Sequence, residues 1–193
     1  MSVKINYKLS ILKNFSGNIV LFVDENFNIL PLKKYISKQE HSFISDLLKI
    51  SNKKHKIISY DISSKKAITL VSFNKNLKDV EAENLGANFF DQFKNSKQNI
   101  FSINSDSVPY SLKNKIGYFL HGLILKSYSF DKYKTKSKRK DFIKNVIGKN
   151  KPSLKDQIKF KAIEDGTFAA RDLVSEPGNI LHPDEYAKRL VLL

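Results

Sequence analysis

A chain of 193 residues, 41% hydrophobic and 11% aromatic, can bury a sizeable core; this excludes wholesale disorder and suits one domain plus part of another. It has no cysteine, which excludes a disulfide scaffold or thiolate metal site and fits a reducing compartment. The formal net charge of +15 is almost all lysine, the arginines being Arg139, Arg171 and Arg189. Nucleic-acid readers lean on arginine for bidentate contacts, so these lysines read first as ordinary solvated faces.

Residues 2–9 alternate as a first strand, with Val3, Ile5 and Tyr7 on one face. The apolar run Ile19-Val20-Leu21-Phe22-Val23 predicts a strand buried on both faces, ended by Asp24-Glu25-Asn26. Over 34–50, Tyr35, Ile36, Phe43, Ile44, Leu47 and Leu48 fall at helical spacing. Residues 56–62 and 67–73 read as a hairpin around Ser63-Ser64-Lys65-Lys66. A second helix is expected over 77–93 with Val80, Leu85, Phe89 and Phe93 inward, then a short strand over 99–103 and a turn at Asn104-Ser105-Asp106. A third helix follows Pro109, carrying Leu112, Ile116, Phe119, Leu120, Leu123 and Ile124. After a basic bridge at 134–140, residues 141–147 suit a last strand, and 148–152 break the chain. Ser153 with Asp156 suggests a capping box opening a long helix to about Val174, its stripe being Ile158, Ala162, Ala169 and Leu173 flanked by Ile163, Ala170 and Val174. Helices alternating with apolar strands indicate an α/β fold, a three-layer α/β/α sandwich around a mixed sheet followed by a linker helix.

No signal peptide opens the chain and no run could span a bilayer, so a soluble cytoplasmic protein without a membrane partner is expected. His41, His55, His121 and His182 lie far apart, none in metal-ligand spacing, and His121 among apolar residues reads as structural. There is no nucleophile elbow, P-loop or dinucleotide fingerprint, and the seven glycines are scattered. The neighbours Asp24/Glu25, Glu164/Asp165 and Asp184/Glu185 diverge on strand or helix, so they do not form acid–base pairs. No catalytic and no metal-binding residue is therefore assigned.

Near the end, Ala169-Ala170-Arg171-Asp172-Leu173-Val174-Ser175-Glu176-Pro177-Gly178-Asn179 reads as a helix running into a corner. Pro177 cannot continue the helix, and Gly178 and Asn179 tolerate left-handed angles beyond it. Pro183 suits a first helical position, with Asp184 and Glu185 complementing the new helix dipole. Arg171 and Asp172 are expected to fix this corner through exposed helix-end carbonyls rather than grip a substrate carboxylate. The run Tyr128–Lys136 could bind a nucleic-acid strand by stacking and charge, but reads more simply as Tyr128, Phe130 and Tyr133 packed on the sheet with the lysines in water.

Both stretches resemble the leucyl (cytosol) aminopeptidase family. The stronger match carries Arg171, Asp172, Leu173, Pro177, Gly178, Asn179 and Pro183; the second carries Tyr128, Phe130, Asp131, Tyr133 and Lys134. Two positions depart: the family usually has Asn at Ser175 and Thr at His182, and His is the poorer helix cap. The resemblance implies a macro-domain-like N-terminal domain (1–150), a linker helix and corner (151–182), and the start of a catalytic domain (183–193). It implies a cytoplasmic exopeptidase that releases N-terminal amino acids from peptide substrates, uses two divalent metals (manganese, zinc or magnesium), and assembles as a homo-hexamer. The family's metal-binding and catalytic signatures are absent from this chain, which ends on the apolar Val191-Leu192-Leu193 and reads as cut short. On that reading the 193-residue chain is inactive alone and serves in assembly and regulation. The alternatives are a DNA-binding or regulatory module, and a domain binding an ADP-ribose-type ligand, which the scattered glycines disfavour.

Overall fold

The structure is a computed structural model and describes residues 3–8, 17–96, 100–134 and 142–191, without the side chains of 142–144. Six strands form one sheet in the order β1-β6-β5-β2-β4-β3: β1 (Val3–Lys8), β2 (Asn18–Val23), β3 (Ile57–Ser63), β4 (Lys66–Ser72), β5 (Ile100–Asn104) and β6 (Phe142–Ile147). All neighbours are parallel except the β3–β4 hairpin at one edge, which makes the sheet mixed as expected. Residues 2, 9 and 99, the bridge at 135–140, Asp141, Leu192 and Leu193, all included in the expectations above, lie outside the described residues.

The central strand β2 is buried along its whole length, and its alternation divides the core. Ile19, Leu21 and Val23 face one side, where Ile68 and Leu70 of β4 meet Ile44 and Leu48 of helix α1 (Lys38–Ile50). Val20 and Phe22 face the other side, under helices α2 (Asp79–Phe93) and α3 (Lys115–Lys126). Phe22, Phe73, Phe89, Phe101 and Phe119 form a run of tilted and edge-on ring contacts there, with centroids 4.6–6.2 Å apart. Helices on both faces of the sheet give the three-layer α/β architecture.

The helix expected over 34–50 is two pieces, a 3-10 turn over Leu30–Lys34 and then α1. Ser37 divides them because its hydroxyl accepts from the Glu40 N–H while the Glu40 carboxylate accepts from the Ser37 N–H. Tyr35 is thereby freed from the helix, and Phe43 is exposed. In α2 the inward stripe is Ala82, Leu85, Gly86, Phe89 and Phe90, whereas Val80 lies 65% exposed. The cause is close packing. A Cβ on Gly86 would lie 1.8 Å from the Phe119 carbonyl oxygen, and one on Gly122 would lie 2.0 Å from the Glu83 oxygen. Two glycines let α2 and α3 touch backbone to backbone, and that contact sets the rotation of α2.

Helix α4 (Leu154–Ser175) opens at Ser153, whose hydroxyl accepts from the Asp156 N–H, and lies against α3. The apolar stripe read from sequence is not its docking face: Ile158, Ile163 and Val174 are 70%, 45% and 87% exposed, and Ala162 and Ala170 are exposed too. Phe160, Glu164, Phe168 and Arg171 make its contacts with the domain instead, at the same helical spacing. Hydropathy overlooks such a face because its polar members are buried with partners. Helix α5 (Pro183–Val191) follows the corner.

Candidate functional site

The two stretches that carried the resemblance meet in space. Ser127 ends α3 by donating to the Ile124 carbonyl oxygen at 2.7 Å, and the chain then crosses the end of α4. Tyr128 donates to Asp172 Oδ1 at 2.8 Å, its ring lying 5.4 Å from Phe168 and 5.5 Å from the Arg171 guanidinium. Arg171 Nη1 donates to the Leu125 carbonyl oxygen at 2.6 Å. Arg171 therefore satisfies an exposed helix-end carbonyl, as expected, but that of α3 rather than of its own helix.

Glu176 is the hub. It is the extended residue after α4, and its side chain is 1% exposed. Three donors converge on its carboxylate: Lys132 Nζ, the Tyr133 hydroxyl, and Arg189 Nη1 at 2.8 Å. These partners, Lys132 foremost, pull the Glu176 carboxyl down to about 2. Reciprocally, Glu176 raises Lys132, Tyr133 and Arg189. Arg189 Nε also donates to Glu185 Oε1 at 3.0 Å, so one guanidinium joins both helices at the corner.

The remaining motif residues have local roles. Asp131 accepts from Lys134 Nζ and from the Ser129 hydroxyl, and these hold its carboxyl well below the usual range. Phe130 packs edge-on against Tyr133 at 5.8 Å. Tyr128 therefore lies against α4 and Tyr133 against the corner, where packing on the sheet was expected, and Lys132 and Lys134 are ion-paired. Leu173 is half-buried on α4. The Pro177 carbonyl oxygen accepts from the N–H groups of Ile180 and Leu181, and Pro183 opens α5 with Asp184 and Glu185 in its first turn.

Gly178 and Asn179 do not take up the left-handed conformation their types allow; among the described residues positive φ occurs at Gly17, Phe27 and Gly148. Helix α4 ends because Glu176, preceding a proline, is driven to φ −69° and ψ 137°. Sequence reasoning missed Glu176, Lys132 and Arg189 as a unit. The signal available was the Glu185–Arg189 spacing of four residues, a helix pair that points the guanidinium back toward the corner.

A second buried pair docks α4. His121 Nδ1 and Glu164 Oε1 lie 2.8 Å apart with both residues buried, and the Phe160 ring lies 4.9 Å from the imidazole. His121 is structural, as read, but its carboxylate partner 43 residues away was invisible to spacing arguments. Burial, with the charge of Glu164, pushes the Tyr7 hydroxyl up to about 12.

In open α/β sheets ligands enter where strand order reverses, which here is between β2 and β5. That crevice is filled by the chain itself. Ser107 Oγ accepts from the Phe22 N–H at 2.8 Å and donates to the Asn104 carbonyl oxygen at 2.7 Å. The Tyr35 hydroxyl donates to the Asp106 carbonyl oxygen at 2.7 Å. Asp106 Oδ1 accepts from the N–H groups of Lys149 and Asn150 at 2.7 and 3.1 Å, just past Gly148 at φ +119°. Such converging amides suit an anion, and the internal carboxylate takes that place.

Among the described residues no three His, Asp or Glu side chains come together as a metal site would need, so this part of the chain does not fit a two-metal centre. Among the described residues no helix is long and apolar enough to cross a membrane.

No family model matches the chain. It is 27% identical over 198 aligned positions to a "probable cytosol aminopeptidase" of Rickettsia bellii, covering 89% of this chain and 38% of that protein. A protein of the same description from Agrobacterium fabrum is 34% identical over 104 positions, 50% of this chain and 21% of that one. The chain thus spans well under half the length of these relatives. A mutant of tomato leucine aminopeptidase shares the fold with a TM-score of 0.70 and 19% identity, over 97% of this chain and 41% of that one. The bottromycin maturation enzyme BotP, solved in complex with Mn, matches with a TM-score of 0.64 and 11% identity, over 92% and 36%. Over the part of those proteins that it spans, the chain resembles the cytosol aminopeptidases in sequence and tomato leucine aminopeptidase in fold.

Proposed function

We propose that this chain is the N-terminal portion of a cytoplasmic leucyl aminopeptidase, a metal-dependent exopeptidase acting on peptides, and that its own task is to direct and assemble the catalytic part. The observation that carries this reading is the Glu176 hub. It ties the loop after α3, the end of α4 and the start of α5 into one clamp, and so sets the direction in which the chain leaves the domain. On this reading 151–182 is the linker, 183–193 begins the catalytic domain, and the macro-like domain (1–150) contributes to a homo-hexamer. The Mn complex of BotP and the cytosol aminopeptidase relatives support metal dependence, which would be supplied by residues outside this chain.

The test compares leucine p-nitroanilide hydrolysis, with added Mn²⁺, by the 193-residue chain and by the product of its complete reading frame. We expect metal-dependent release from the longer polypeptide and none from the 193-residue chain. Turnover by the latter, or an inert longer product, would sink the reading.

A further inference from the structure

A cleft of about 700 Å³ lies between β1, α3 and α4, a size suited to a small organic ligand. Its walls include Ile5, Leu120, Ile124 and Ile158, and polar groups enter it from three elements: Tyr7, His121 and Glu164. Glu164 is only 4% exposed, and among the described residues His121 is the one hydrogen-bond partner of its carboxylate. The Tyr7 hydroxyl, pushed up to about 12 by burial and the charge of Glu164, is a donor with no hydrogen-bond partner among them. Lys161, at the rim, is already paired with Asp165. Among the described residues no lysine or arginine pairs with this carboxylate, whose partner is the imidazole of His121.

We propose that this cleft binds a small apolar ammonium compound, its charge against Glu164 and its hydrocarbon against Ile5, Leu120, Ile124 and Ile158. An anion would face the Glu164 charge. A strongly polar neutral molecule would leave the apolar walls unmatched. The ammonium brings a fixed positive charge beside Glu164, the Tyr7 hydroxyl and His121 border it, and the hydrocarbon covers the apolar walls.

Saturation-transfer NMR on the 193-residue chain with 3-methylbutylamine and its neutral isostere 3-methylbutanol tests this. The amine is expected to bind about tenfold more tightly than the alcohol, and Glu164→Gln, which can still pair with His121, is expected to remove that preference. Ile158→Trp narrows the mouth from a site that is 70% exposed, so it is expected to keep the parent's melting temperature and block both ligands. If Glu164→Gln does not fold, Ile158→Trp decides. Equal binding of amine and alcohol, amine binding that survives Ile158→Trp, or no amine binding would overturn the proposal.

Discussion

Single residues hold the corner between α4 and α5. With its carboxyl at about 2 in the folded chain against an ordinary 4.5, Glu176 favours the folded state once it is ionised. Because the folded value is depressed, that contribution is complete above about 4.5 and is lost as pH falls toward about 2. Hydrogen-exchange protection of α5 amides, referenced to α2, should therefore drop through this window in the parent and stay low and flat in Glu176→Gln. Protection in the parent that is independent of pH would show that the three donors do not act through this carboxylate. Arg171 and Asp172 share the work, but through Leu125 and Tyr128 of the neighbouring element.

Between elements, the tightest constraint is the α2–α3 crossing. Gly122→Ala puts a methyl group about where the Glu83 carbonyl oxygen sits, and neither helix can give way without disturbing Phe89 and Phe119 beneath. We expect a loss of about 3 kcal/mol in urea unfolding, as for other overpacked interiors. A cost near zero would mean that the helices slide freely past each other. Gly166 and Gly178 would meet nothing within 4 Å, so Ala at Gly178 serves as the mild control. Helix α4 follows a different rule: its docking face carries Glu164 and Arg171, whose partners lie on α3, while Ile158, Ile163 and Val174 remain exposed.

Across the whole molecule, the sheet's reversal point is sealed by Ser107, Tyr35 and Asp106, which bond to three separate segments. Asp106→Ala leaves the Lys149 and Asn150 amides without their acceptor and should cost about 2 kcal/mol in urea unfolding. Added sulfate should restore part of that loss, because the freed amides still form an anion cradle. A variant as stable as the parent, or one indifferent to sulfate, would deny the carboxylate this role.

Local chemistry alone determined much of the architecture. A continuous apolar run marked β2 as buried on both faces, the Ser-Ser-Lys-Lys turn marked the hairpin, and Pro177 marked the end of α4, each signal lying within a few residues. The two stretches around 128–134 and 169–183 were also legible, as sequence patterns. Only the tertiary structure decided which side of α4 docks, that Glu176 gathers Lys132, Tyr133 and Arg189, and that Glu164 belongs to His121. The physical reason is that a buried charge is tolerated only beside its partners. Those partners lie up to 44 residues away in sequence and become neighbours only once α3 and α4 have packed.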